Sequence, residues 1–262
     1  MWICLGWGMY GFMDPIAFEI FGLEIRWYAI IITFAMLLGV FLVSKQGKKE
    51  GFVENDLMDI FLCAFPLSII GARLYYVLFR YSVYKGDVLS MLNIRQGGLA
   101  IHGGLIGAFI GGYFIVRKYG LNLWKTLDLY VPYLALGQAI GRWGNFMNQE
   151  AHGGPTDLPW GIMIDGVRVH PTFLYESILD FVLFVFLIYI RKNKKFDGQM
   201  ISIYLIVYSI GRFFIEELRT DSLMIGSFKI AQTVSVVLII VGFGIWIMRK
   251  NNELDGAYVK RC

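Results

Sequence analysis

The chain has 262 residues, of which 57% are hydrophobic and only 17% charged. An average soluble domain carries about 25% charged residues, and here the deficit coincides with long uncharged runs, so the length suits one compact membrane domain rather than several soluble ones. The net charge of +4 comes from basic residues that flank the apolar runs, which excludes nucleic acid as a partner. Cys4, Cys63 and Cys262 form no CxxC pair and no zinc-like spacing with the three histidines, so neither a disulfide framework nor a structural metal is supported, and no metal or organic cofactor is implied.

From the N-terminus, MWICLGWGMYGFM lacks the basic region that opens a signal peptide. Met13 begins a more ordinary opening, MDPIAFEIFGLEIRWYA. Residues 1–12 are therefore expected to come from an upstream start or to be a poorly ordered extension, and 13–262 to be a single integral-membrane domain. A bilayer core needs about 20 apolar residues in a helix. Seven spans are predicted, at roughly 27–43, 57–79, 99–116, 126–141, 172–190, 200–215 and 230–248. The expected fold is all-α and polytopic.

Lysine and arginine in the loops set the orientation. One set of loops holds Lys45, Lys48 and Lys49, then Arg117, Lys118 and Lys125, then Arg191, Lys192, Lys194 and Lys195, then Arg249, Lys250, Lys260 and Arg261. That side is expected to be cytoplasmic, with the N-terminus outside and the C-terminus inside.

In chain order, Arg26-Trp27-Tyr28 opens the first span. Aromatics there anchor the interface, and Tyr28 can donate to a lipid headgroup. Asp59 and Arg73 lie too far apart on the second span to pair, and neither receives a role. His102 sits early in the third span, either as a hydrogen-bonded structural residue or as a base whose pKa can be moved across neutrality. Gly103, Gly107 and Gly111 recur at i, i+4, i+8 in the same span, and Gly137 and Gly141 repeat the spacing in the fourth. This is the pattern that permits close helix crossing. Asp128 lies about 21 Å along a helix from Arg142 and belongs to the inner side.

Residues 141–153, GRWGNFMNQEAHG, place an arginine, two asparagines and a glutamate at the end of an apolar segment. Ionisable groups at membrane depth are costly and mark either function or a paired lock. Arg142 and Asn145 are i, i+3 and share a helix face. Gly141 and Gly144 flank the arginine and leave space around its guanidinium. A permanently charged planar fork beside amide donors suits phosphate or carboxylate; the other reading is a buried arginine tied to Glu150, which can also act as an acid or base.

HPTFLYE, at 170–176, puts Pro171 at the start of the fifth span, where its missing N–H is harmless. His170 is read as a structural cap, and Glu176 is left open. Arg212, Glu216 and Arg219 line one face of the sixth span, with Tyr208 one turn before. They form either an ion-pair ladder or a second cationic element facing Arg142. Two arginines from different helices around one outer cavity suggest an anionic headgroup. No GxSxG elbow, HExxH pair or Walker loop is present, and the seventh span has no lysine for a retinal. A direct transfer between two bound substrates fits these absences. An anionic-lipid transporter or a seven-helix receptor are the competing classes.

The stretch 141–153 resembles the signature of the prolipoprotein diacylglyceryl transferase family, GR-x-GNF-x-N-x-E-x-x-G, with every fixed position filled. The resemblance extends to RWY at 26–28, GGLAIHGG at 97–104, HPTFLYE at 170–176 and YSIGRFFIEELR at 208–219. It implies a bacterial plasma-membrane enzyme with seven membrane helices and an active site toward the outer face. Such an enzyme moves the diacylglyceryl group of phosphatidylglycerol onto the lipobox cysteine of a prolipoprotein, forms a thioether and releases glycerol-1-phosphate. This is the first step of lipoprotein maturation.

Carried over residue by residue, the resemblance assigns catalysis to His102, Arg142 and Arg212. It assigns phosphatidylglycerol binding to Tyr28, Arg142, Asn145, Gly153 and Arg212. Asn148, Glu150, Tyr208, Glu216 and Arg219 support them. In the expected chemistry the arginines hold the phosphate, Glu150 and Glu216 hold the arginines, and His102 is the candidate base for the thiol.

Overall fold

The computed structural model describes residues 14–93, 97–220, 222, 224–225 and 228–259. The expected extension at 1–12, and Lys260 and Arg261 of the cytoplasmic charge set, lie outside the described residues. The elements in chain order are β1 (Ile16–Ile20), β2 (Leu23–Arg26), α1 (Trp27–Lys49), α2 (Glu54–Phe79), α3 (Tyr81–Tyr84), α4 (Val88–Leu92), α5 (Ile101–Lys118), α6 (Leu123–Met147), β3 (Ile162–Ile164), β4 (Val167–Val169), α7 (Thr172–Arg191), α8 (Gln199–Leu218), β5 (Met224–Ile225), β6 (Phe228–Lys229) and α9 (Ile230–Val259).

Seven of the described helices coincide with the seven predicted apolar segments. Four stretches, Trp27–Lys49, Glu54–Phe79, Thr172–Arg191 and Ile230–Asn252, are long and apolar enough to cross a membrane. Their outward faces are apolar, as at Phe34, Leu62, Phe181 and Ile240, a surface that suits lipid rather than water. α5, α6 and α8 fall outside that apolar class.

The described residues are mostly helical, as expected. Among the described residues three two-stranded antiparallel sheets accompany the helices: β1–β2 precedes α1, β3–β4 lies between α6 and α7, and β5–β6 lies between α8 and α9. Two turn on a left-handed pair, Phe21 (φ 50°) with Gly22 (φ 78°) and Asp165 (φ 49°) with Gly166 (φ 79°). This is the two-residue turn whose twist matches that of paired strands, and Asp-Gly is its strongest sequence signal.

The described residues fall into two compact units, one drawn from within 1–39 and 130–262 and one from within 40–129. In the second unit, α2 and α5 cross in antiparallel register at backbone distance. A Cβ on Gly103 would overlap the Gly71 carbonyl oxygen, one on Gly107 the Leu67 carbonyl oxygen, and one on Gly111 would come to 2.9 Å from the Cys63 carbonyl oxygen. Each glycine step of four is answered by a step of four on α2, so the predicted small-residue face is a real crossing. Gly137 meets nothing within 4 Å, and the Gly137–Gly141 repeat makes no such crossing.

In the first unit, Val131 and Ala135 of α6, Leu183 and Leu187 of α7, and Met200 and Tyr204 of α8 form an apolar core. α6 starts at Asn122, whose Oδ1 accepts from the backbone N–H groups of Trp124 (2.9 Å) and Lys125 (3.1 Å). α7 buries Phe173, Glu176, Asp180, Leu183 and Leu187 along one stripe. The apolar half of that stripe meets the core, and the polar half continues into the site.

Candidate active site

α6 runs on through the signature to Met147, so Arg142 and Asn145 do share one helix. Its end is a Schellman closure, with Glu150 N–H donating to Asn145 O and Gln149 N–H to Phe146 O, both at 3.0 Å. Gln149 (φ 54°) takes the left-handed position normally filled by glycine, and Ala151 (φ 59°) does so again two residues on. Each such residue costs about 1–3 kcal/mol and persists only where its surroundings impose it. They do so here: the Thr172 hydroxyl donates to Ala151 O, and Gly153 forms a bridge to Arg219. Gly153 N–H also donates to His170 O at 2.9 Å, and Gly154 N–H to Leu218 O at 3.0 Å. A Cβ on Gly153 would stand 2.6 Å from His170 Cβ and 2.9 Å from Leu218 O, so the motif-closing glycine permits this three-way approach of backbone.

α6 is stitched to α7 by Trp143 Nε1–H donating to Ser177 Oγ (3.1 Å) and Ser177 Oγ–H donating to Ala139 O (2.8 Å). Phe146 stacks on Phe173 with ring centroids 4.6 Å apart. On α8, Tyr204 donates to Gln138 Oε1 at 2.8 Å and stacks on Tyr208 at 5.4 Å. Above this ladder the arginines gather. Glu176 is their hub. Its Oε2 pairs with Arg142 Nη2, and its Oε1 lies 2.5 Å from Arg212 Nη1 and 3.6 Å from Arg219 Nη1. Glu216 Oε2 lies 2.5 Å from Arg212 Nη2 and 4.0 Å from Arg219 Nε.

Three guanidiniums from α6, α8 and the end of α8 thus share two carboxylates. The glutamate side chains are 3–4% exposed and the arginines 12–19%. The carboxylates are thus the more deeply buried groups of the cluster and the guanidiniums the more accessible. Forks held in this way are positioned before any ligand arrives, which is what makes fixed charge effective in a dry site. Asp180, one turn along α7, is fully buried and lies in the field of Arg142, Glu176 and Arg212. Neither of its oxygens has a hydrogen-bond partner among the described residues.

The structure brings Arg142, Arg212, Glu216 and Arg219 together, and Tyr208 lies within reach of the charges of Arg142 and Arg212. It corrects the partner of Arg142, which is Glu176 and not Glu150. Glu150 instead accepts from Asn148 Nδ2 at 3.2 Å. The space beside Gly141 and Gly144 is also not left to the guanidinium. A Cβ on Gly144 would meet the Tyr28 ring at 2.8 Å, and one on Gly141 would meet Ile32 Cδ1 at 3.2 Å. The two glycines seat α1 and bring Tyr28 within the field of both Glu150 and Arg142. Asn145 makes no side-chain hydrogen bond among the described residues, and Asn148 Oδ1 is buried without a partner.

His102 belongs to the other unit. It is exposed in the first turn of α5, with its ring 6.1 Å from that of Tyr75. His170 behaves structurally, through its backbone and a 3.4 Å contact from Nδ1 to the Tyr175 hydroxyl. Among the described residues no group of three histidines, cysteines or acids is placed to hold a metal ion. The sequence reading left Glu176 open and passed over Asp180; two acids spaced i, i+4 inside an otherwise apolar span were the available signal.

Comparison with known proteins identifies the family. The family model described as prolipoprotein diacylglyceryl transferase matches residues 15–248. Proteins named phosphatidylglycerol–prolipoprotein diacylglyceryl transferase are similar along nearly their whole length. The one from Finegoldia magna is 54% identical over 231 residues, covering 88% of this chain and 93% of that protein. The one from Clostridioides difficile is 50% identical over 243 residues, covering 92% and 98%. One from Bacillus cereus (strain Q1) is 44% identical over 261 residues, covering 95% and 97%. With its signature helix, its arginine cluster and these relatives, the chain belongs to the prolipoprotein diacylglyceryl transferase family.

Proposed function

We propose that this protein transfers the diacylglyceryl group of phosphatidylglycerol to the lipobox cysteine thiol of a prolipoprotein. A carbon–sulfur bond forms at the terminal glycerol carbon, the carbon–oxygen bond to phosphate breaks, and the thiol proton passes to a base. Glycerol-1-phosphate leaves. The observation that carries the reading is the shared-carboxylate cluster of Arg142, Arg212 and Arg219. As the ester breaks, the departing phosphate gains a second negative charge, and a preorganised cationic layer lowers that barrier.

In this reading Arg142 and Arg212 hold the phosphate and Arg219 extends the layer. Glu176 and Glu216 fix the forks, and Tyr208 borders them. The free amide of Asn145, with Tyr28, Asn148 and Glu150, binds the glycerol headgroup. Gly153 keeps the closing loop tight against α8. The sulfur attacks as thiolate, and His102 is given its proton on the strength of the family resemblance.

The protein works in the bacterial plasma membrane as one integral domain over 13–262, preceded by a short extension. It has seven spans, its N-terminus outside, its C-terminus in the cytoplasm and its site toward the outer leaflet. The lysine and arginine bias of the loops supports this orientation. Apolar side chains exposed on α5, α6 and α8, as at Phe109, Leu134 and Phe214, support the higher span count.

The test is to incubate the purified protein with phosphatidylglycerol and a lipobox peptide and weigh the peptide. A gain of one diacylglyceryl unit is expected. Lipid movement between leaflets without peptide modification would overturn the transferase reading in favour of a lipid transporter.

A further inference from the structure

Arg73 of α2 is only 5% exposed, yet among the described residues no carboxylate pairs with it. Its guanidinium is spent on backbone carbonyls. Nε–H donates to Met91 O at 2.8 Å, Nη1 to Gly97 O at 2.8 Å and Gly98 O at 3.0 Å, and Nη2 to Ser90 O at 2.6 Å. The rings of Tyr84 and Tyr76 flank it, with centroids 5.1 and 5.9 Å from Cζ. A buried cation satisfied by neutral carbonyls is an expensive way to fill space, and its rigid fork is suited to fixing several acceptors in one geometry.

Two of those acceptors, the carbonyls of Gly97 and Gly98, stand just ahead of α5, the helix that carries His102. Gly97 (φ 80°) and Gly98 (φ 76°) are consecutive left-handed residues, a conformation that turns both carbonyls onto the same nitrogen and that side chains resist. A Cβ on Gly98 would stand 2.5 Å from Arg73 Nη1 and 2.7 Å from Tyr76 Cε1. Two residues on, Ala100 N–H donates to Ala72 O at 3.0 Å. α5 begins at the next residue, and the His102 ring lies 6.1 Å from that of Tyr75. The approach to α5 is thus indexed on three residues of α2, at 72, 73 and 75, with Arg73 providing most of the bonds.

We infer that Arg73 is a positioning residue for the transfer reaction, setting the place and orientation of His102 through the carbonyls of Gly97 and Gly98, while those of Ser90 and Met91 hold the other side of its fork. The inference rests on the reading of His102 as the thiol base.

The experiment is a double-mutant cycle on the full-length protein, with phosphatidylglycerol and a lipobox peptide as substrates. The variants are R73Q, R73K, G98A, H102Q and R73Q/H102Q, each checked for an unchanged unfolding temperature in detergent. R73Q is expected to lose about 10- to 100-fold in kcat, the scale of a small misplacement of a reacting group, with KM for phosphatidylglycerol near the wild-type value. R73K does not rescue, because an ammonium cannot span four acceptors. G98A, which acts from the other side of the contact and stays informative if R73Q folds poorly, reproduces the loss.

The R73Q/H102Q double variant is no slower than H102Q alone. Independent, multiplying losses with H102Q itself slow would overturn the positioning role and leave the base intact. H102Q at the wild-type rate would overturn both. Wild-type kcat in R73Q and G98A would overturn the inference directly.

Discussion

Replacing Glu176 with glutamine removes one charge at the point where three guanidiniums converge. In the native site Glu176 serves Arg142, Arg212 and Arg219; without its charge Glu216 still pairs with Arg212 and Arg219, and Asp180 remains in the field of Arg142 and Arg212. Breaking a buried ion pair from one side costs about 3–5 kcal/mol, because the surviving charges lose their counter-ion. Glutamine keeps one acceptor oxygen in place, which puts the loss at the lower end, near 3 kcal/mol. For a chain of this size that corresponds to a fall in Tm of about 6–12 °C.

The same loosening reaches the chemistry. If about half of that energy was holding the forks against the departing phosphate, kcat/KM falls by about 10-fold, and if all of it was, by about 100-fold or more. The assay pairs peptide mass gain with thermal unfolding in detergent, and Glu176→Asp serves as the charge-retaining control that restores part of both. A glutamine variant with wild-type kcat/KM and Tm would refute the claim that Glu176 organises the arginines.

Arg142→Ala is expected to abolish transfer while the protein remains folded and inserted, and Arg142→Lys to restore little, since a point charge cannot reproduce the fork; activity together with size-exclusion behaviour checks this. Gly107→Ala drives a Cβ into the Leu67 carbonyl oxygen at the α2–α5 crossing and is expected to cost about 1–3 kcal/mol. Gly137→Ala, with nothing within 4 Å, is neutral or stabilising by up to about 1 kcal/mol, and the two unfolding temperatures read the contrast. Asp87 caps α4 by accepting from Ser90 N–H at 3.0 Å, and the bonds from Ser90 hold its carboxyl below the usual 3.8. A lowered carboxyl stabilises the fold above its unfolded value and loses that contribution as pH falls through the folded one. Local hydrogen exchange around α4 therefore rises below pH 3.8, and Asp87→Asn removes that pH step.

How much could be read in advance differs residue by residue. Arg212 with Glu216 follows from a helical step of four, and the pair forms at 2.5 Å. The Gly103, Gly107 and Gly111 face was visible for the same reason. Asp165-Gly166 was equally local, a hairpin signal overlooked among apolar segments. By contrast Glu150 was chosen for Arg142 because it is near in sequence, whereas Glu176 arrives from α7. The antiparallel packing of α7 against both α6 and α8 decides that pairing, and no periodicity within one helix encodes it. The spaces beside Gly141 and Gly144 were misread on the same ground, since α1 fills them.

The amino-acid sequence alone determined which stretches are helical and apolar, where the signature lies and which positions carry permanent charge. These follow from interactions between residues a few places apart. Tertiary structure alone decided which carboxylate each guanidinium meets, that Glu176 is the common partner of the three arginines, and that Arg73 grips the approach to His102. Those contacts include pairs 17 and 36 residues apart, and only the packing of helix on helix brings such groups within the few ångströms over which hydrogen bonds and ion pairs act.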